Sequence, residues 1–215
     1  MSKLLILKYI ICFLAIFFLF SCEDKTVDYG LDKYYVEIAT AHSNNMFLLD
    51  NGKKIFVTSD ENKKEYASGD RVYINFTLLE NTASGDYNVK LNGSSKIPQG
   101  KITLTNINGI SAASKEPVIL ESVWLGSHYM NMQLYINYKS ESHKIGLLTD
   151  STSLKSDTIR LYFHHDKNND PPGYPTHSYL SFDLKDVLGE PGNSLPVSVQ
   201  INTSNYGNKT YDFTY

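Results

Sequence analysis

The chain has 215 residues, a formal net charge of −3 and two cysteines, Cys12 and Cys22. The acidic balance argues against a nucleic-acid partner, because binding a phosphate backbone needs clustered Lys and Arg. Cys12 lies in a segment expected to be removed, so the mature chain can form no internal disulfide.

Ile10–Phe20 is an unbroken apolar run of 11 residues, and Lys3 and Lys8 are the only charges before Glu23. A helix needs about 20 apolar residues to cross a bilayer. A positive start, a short apolar middle and a small residue at the end form the pattern of an export signal. Leu19-Phe-Ser-Cys22 resembles a bacterial lipobox, in which cleavage falls before a cysteine that then carries lipid. Residues 1–21 are therefore expected to be a lipoprotein signal peptide and residues 22–32 a lipidated tether. Taking 21 residues from 215 leaves 194, and losing Lys3 and Lys8 takes the charge from −3 to −5. Two or more acyl chains on Cys22 would hold the protein firmly, at about 0.8 kcal/mol per buried methylene.

The body of the chain reads as β almost throughout. Val72, Ile74, Phe76 and Leu78 alternate with Tyr73, Asn75 and Thr77. Met130, Met132, Leu134 and Ile136 alternate with Asn131, Gln133 and Tyr135. The same period recurs over Ile159–Phe163, Leu180–Leu184 and Val197–Ile201. It is the signature of half-buried antiparallel strands. Asn51-Gly52 between two such stretches predicts a tight type I′ hairpin. The small, polar segment 109–117 predicts a linker between domains over 33–108 and 118–215, both of plausible size.

Few residues suggest chemistry. Asp166, Asn168 and Asp170 match the opening of a calcium loop, but Pro171 stands where the turn glycine belongs and His177 where the bidentate acid belongs. His164, His165 and His177 are alternative metal ligands if the loop folds back. A long solvated hairpin loop explains the same residues more simply, so no metal or other cofactor is expected. Trp124, the only tryptophan, is read as a sandwich core residue, with a recognition pocket shared with His128 as the other reading. Tyr73 is a candidate for stacking on a ligand and is read first as a packing residue. Hydrolase, zinc-protease, phosphate-loop and Cys-x-x-Cys motifs are missing, and no catalytic residue is assigned.

The segments Val36-Glu-Ile-Ala-Thr40, Phe47-Leu-Leu-Asp-Asn-Gly-Lys53 and Ser68-Gly-Asp-Arg-Val72 are similar to the N-terminal domain of NigD-like lipoproteins of Bacteroidota. Val123-Trp-Leu-Gly-Ser-His-Tyr-Met-Asn-Met132, His143-Lys-Ile-Gly-Leu-Leu148, Leu161-Tyr-Phe-His-His165 and Tyr179-Leu-Ser-Phe-Asp-Leu184 resemble its C-terminal domain. The resemblance implies an all-β protein, with an OB-like barrel followed by an immunoglobulin-like β-sandwich. It also implies the cell envelope, at the outer membrane or the surface, and it brings no catalytic residues. The expected function is a lipid-anchored, non-enzymatic binding or assembly module whose partner is an envelope protein or a glycan. The alternatives are a bacteriocin accessory or immunity factor, and a hydrolase with its site on the 164–177 segment.

Overall fold

The period-two stretches form strands. The computed structural model describes residues 29–60, 64–192 and 194–215. The signal segment, Cys22 and the tether through residue 28 lie outside them. The chain divides into Met1–Gly30 and a compact unit, Leu31–Tyr215, whose fold follows.

Five strands close into a barrel in the order β1-β2-β3-β5-β4: β1 (Tyr34–Ser43), β2 (Met46–Leu49), β3 (Lys54–Asp60), β4 (Arg71–Asn81) and β5 (Tyr87–Lys96). Val72, Ile74, Phe76 and Leu78 of β4 are fully buried, together with Phe47, Ile55, Val89 and Leu91. Their alternation puts Arg71, Tyr73 and Asn75 on the outer wall. The β2–β3 turn departs from the expected type I′. The Gly52 amide donates to the Leu49 carbonyl and the Leu49 amide to the Lys53 carbonyl. Gly52 (φ 83°) takes the left-handed conformation, and Asn51 does not. This is the three-residue loop with a glycine bulge.

The other eight strands lie in the order β13-β12-β10-β9-β6-β11-β8-β7. They are β6 (Gln99–Thr105), β7 (Ile119–Gly126), β8 (Tyr129–Tyr138), β9 (Lys144–Asp150), β10 (Ile159–Asp166), β11 (Tyr174–Asp183), β12 (Pro196–Thr203) and β13 (Gly207–Thr214). β6 joins the two layers of a sandwich: Gln99–Lys101 pair with β11, and Ile102–Thr105 pair with β9. The core between the layers holds Met130, Met132, Leu134 and Phe182 against Leu147, Leu161, Phe163 and Val199. Phe163 meets Phe182 edge-on at 6.3 Å between ring centroids.

Two features differ from the sequence reading. The pairs β3–β5, β6–β9, β6–β11 and β10–β12 are parallel, although strand periodicity led to an antiparallel expectation. Period two reports which face is buried and is blind to a neighbour's direction. The chain also passes from barrel to sandwich near residues 97–98, before β6, and not over 109–117. Part of the expected linker is instead helix α1 (Ile107–Ala112), capped by the Asn106 side chain accepting from the Gly109 amide. Lys115 and Val118 then bridge to His165 and Thr203.

Candidate functional site at the domain junction

The register of the sandwich decides what its outer face carries. Met130, Met132, Leu180 and Phe182 point into the core, so their neighbours point out. Asn131 stands opposite Ser181, Gln133 opposite Tyr179, and Tyr135 opposite His177. On β7, Trp124 stands opposite Asn131. The outer wall of the barrel meets this face.

At one end of the row, the junction is locked around Arg71, whose side chain is fully buried. Its Nη1 and Nη2 donate to the two carboxylate oxygens of Asp50 at 2.6 and 2.7 Å. Nη1 also donates to Thr40 Oγ1 at 2.9 Å, Nη2 to Asn131 Oδ1 at 3.1 Å, and Nε to Ser181 Oγ at 3.0 Å. All five guanidinium hydrogens have acceptors. Asp50 and Thr40 belong to the barrel, Asn131 and Ser181 to the sandwich. Asn131 Nδ2 returns a bond to Asp50 at 2.8 Å, and the Tyr129 ring lies 4.0 Å from the guanidinium carbon. Gly126 completes the fit, because a Cβ there would come to 2.7 Å from Asp50 Cβ. Gly126→Ala should therefore push Asp50 away from Arg71 and lower the urea midpoint of unfolding, with little change in the far-ultraviolet circular dichroism of the native state.

Beside this lock is a cleft of about 330 Å³ lined by Val36, Glu37, Ile38, Asp50 and Tyr73 from the barrel, and by Trp124, Gln133 and Tyr179 from the sandwich. The Tyr73 and Tyr179 rings stack across the junction at 4.8 Å. Burial, followed by the proximity of Tyr73 and Glu121, pushes the Tyr179 hydroxyl above its ordinary value. It therefore remains a neutral donor at physiological pH. Gln133 Nε2 donates to Glu121 Oε2 at 2.6 Å and lies 3.1 Å from His177 Nε2. One Nε2 hydrogen of Gln133 is thus committed to Glu121, and its carbonyl oxygen can accept from a ligand.

Trp124 is consequently not the core residue expected: its phase along β7 turns it outward, into the cleft. Tyr73 lies in the same cleft. His128 does not share it. It sits on the β7–β8 turn, stacked on Tyr129 at 4.1 Å and 3.9 Å from Asp183.

Of the metal candidates, His165 and Asp170 are linked through His143, and the others lie apart. His177 is on β11 beside Gln133, and the His164 ring Nδ1 faces the Ser114 carbonyl at 2.7 Å. Asp166 accepts from the Asn168 amide within the loop at 2.8 Å. The described residues contain no group of three or more His, Cys, Asp and Glu side chains placed to hold a metal. Asp170 is not in a solvated loop, as expected, but buried. It accepts the backbone amides of Lys139, Ser140 and Glu141 at 2.7, 2.9 and 2.9 Å. Burial pushes its carboxyl up, but these amides and His143 outweigh that and hold it well below the usual carboxylate range.

His143 joins Asp170 to His165. His143 Nε2 lies 3.2 Å from Asp170 Oδ2 and its Nδ1 lies 2.8 Å from His165 Nε2; His165 Nδ1 lies 3.1 Å from the Glu116 carbonyl. Both ends of this row are acceptors, so its three contacts need three hydrogens, and two neutral imidazoles carry two. The third hydrogen requires one of the two rings to carry hydrogen on both nitrogens. Burial lowers His165 below its ordinary value of 6.5, opposed by the bond to Glu116 and aided by the nearby His143 and His164, which agrees with a neutral His165. Both nitrogens of His165 are occupied by protein, which leaves neither to exchange a proton with a substrate.

Two family models match the chain. The NigD-like N-terminal OB domain matches residues 35–97, and the NigD-like C-terminal beta sandwich domain matches residues 102–215. The chain belongs to the NigD-like family. The boundary between the two matches falls where β6 enters the sandwich. Among solved structures, the NigD-like chain is similar to a protein of unknown function from Bacteroides vulgatus, at 25% identity and a TM-score of 0.74, covering 85% of this chain and 91% of that one. It is also similar to a NigD-like immunity protein from Bacteroides caccae, at 21% identity and a TM-score of 0.61, covering 86% and 93%. A third, from Bacteroides fragilis and described as a candidate lipoprotein, has 13% identity and a TM-score of 0.61, covering 85% and 98%. Comparison with curated proteins returned no match.

Proposed function

We propose that this NigD-like protein is fastened to the cell envelope by lipid on Cys22 and works there as a non-enzymatic binding module, with its ligand seated in the junction cleft. The observation that carries the reading is the cleft itself. Three aromatic side chains from two domains converge with a carboxamide and carboxylates, and the Arg71 lock fixes the domains so that the cleft is preformed. The lipobox pattern and the Bacteroides fragilis relative support the anchor. Among the described residues no helix is long and apolar enough to cross a membrane.

Mass spectrometry of the native protein should find residues 1–21 gone and fatty acyl groups on Cys22. Capture from solubilised envelopes should enrich a ligand that Tyr73→Ala protein recovers poorly, and Cys22→Ala should lose the envelope location. A bare Cys22 would overturn the anchor, and equal recovery by wild type and Tyr73→Ala would overturn the cleft. An accessory or immunity role in a bacteriocin system is the second reading, suggested by the description of the Bacteroides caccae relative. A deletion strain with unchanged bacteriocin production and sensitivity would contradict it.

A further inference from the structure

We infer that the junction cleft takes an uncharged glycan, with a sugar ring held between Trp124 and the Tyr73–Tyr179 pair. The inference rests on the binding-module reading and adds the class of ligand.

Charge narrows the choice first. The carboxylates that line the cleft are Glu37 and Asp50, and Glu121 stands behind Gln133. Arg71 is the nearby cation, and all five of its hydrogens are committed. Within this cleft a phosphate, sulfate or carboxylate would therefore face carboxylates, and its described lining residues include no lysine, arginine or histidine to meet it. A cation is not required either, since Asp50 is matched by Arg71 and Asn131, Glu121 by Gln133, and Glu37 also has a partner within the protein.

Polarity narrows it further. A wholly apolar ligand would strip water from Gln133 and the tyrosine hydroxyls without returning hydrogen bonds. An extended peptide adds to a sheet edge, whereas Tyr73 stands on the wall of a closed barrel and Gln133 and Tyr179 on interior strands of the sandwich sheet, with Trp124 alone on the edge strand β7. A pyranose ring fits both demands. Its C–H face lies flat on an aromatic ring, and its rim of hydroxyls donates to a carboxylate or a carboxamide oxygen. The volume of about 330 Å³ is at the lower end of the range for small-ligand sites, and suits a short stretch of a longer chain. There is room for that chain to continue. Across the Tyr73–Tyr179 pair lies a second hollow of about 250 Å³, lined by Ser95, Pro98, His177 and Ser178. Lys96, also there, is held by Asp70 at 2.6 Å. The stacked tyrosines thus form a ridge between two hollows, over which a linear glycan can lie.

Trp124 is the only tryptophan, so its emission reports on this cleft alone. The full chain, in a detergent without a sugar headgroup, is titrated with short neutral gluco-, manno- and galacto-oligosaccharides, with anionic hyaluronan fragments and with cationic chitosan fragments. The expected result is a saturable change with at least one neutral series and none with hyaluronan. Tyr179→Ala and Gln133→Ala should each weaken it by about tenfold or more, a difference of about 1.4 kcal/mol or greater. Tyr179→Phe should retain it, and melting curves confirm that each variant is folded. A response to chitosan or hyaluronan alone overturns the uncharged class and leaves the cleft as a binding site. A response only to protein from an envelope extract overturns the glycan. Silence of Trp124 toward every probe overturns both the glycan and the cleft.

Discussion

Asp50→Ala will destabilise the protein by about 3–5 kcal/mol, because it strands a fully buried guanidinium. A loss of that size lowers the melting temperature by about 10 °C or more in a chain of this length. Two of the five hydrogens of Arg71 lose their acceptors, and Asn131 loses the partner of its amide. The double substitution Asp50→Leu, Arg71→Met should recover part of the loss, since it removes both charges together. Ser181 and Asn131 would still bond to each other at 2.8 Å. Urea unfolding of wild type, the two single variants and the double variant measures the coupling. Simple addition of the two single effects would show that the pair does not act as a unit.

Asp170→Ala should lower the melting temperature by roughly 5–10 °C. It leaves three backbone amides without an acceptor and removes the carboxylate that contacts His143 Nε2. The same row gives the protein a defined response to acid. His165 is lowered from 6.5, so its contribution is complete above that pH and is lost as pH falls below it. Asp170 is lowered from 3.8, so its contribution is complete above that pH and is lost at still lower pH. The melting temperature should therefore fall in two stages on acidification, first below neutrality and again below about pH 4. His165→Gln should melt lower at pH 7 but show a flatter profile between pH 7 and pH 5. A wild-type profile flat over that interval would contradict the assignment of a neutral His165.

Strand phase was legible in the sequence wherever a run alternated. Val72–Leu78 and Met130–Ile136 lie as read, and the same alternation placed Tyr73, Gln133 and Tyr135 on the outer faces. What those faces meet was not legible. Arg71 begins a strand directly after a turn, where a charged residue ordinarily faces water. Its burial depends on Asn131 and Ser181, 60 and 110 residues away. Trp124 was taken for core because a tryptophan in an immunoglobulin-type sandwich usually packs between the sheets, yet Val123 and Leu125 supply the inward phase of β7 and pack on the core. Asp170 looked like loop chemistry because its neighbours Asn168, Asn169 and Pro171 favour turns. Its real partners are the amides near residue 140, which no local pattern announces. His143 was visible only as part of a family-like segment.

The most direct test of the central claim, that the junction of the two domains is where this protein meets its ligand, is hydrogen–deuterium exchange of the full chain with and without solubilised envelope extract. The account predicts slower exchange in peptides that carry Val36–Ile38, Tyr73, Trp124, Gln133 and Tyr179, with the 139–173 region unchanged. Slower exchange confined to other segments, or no change anywhere, would contradict it.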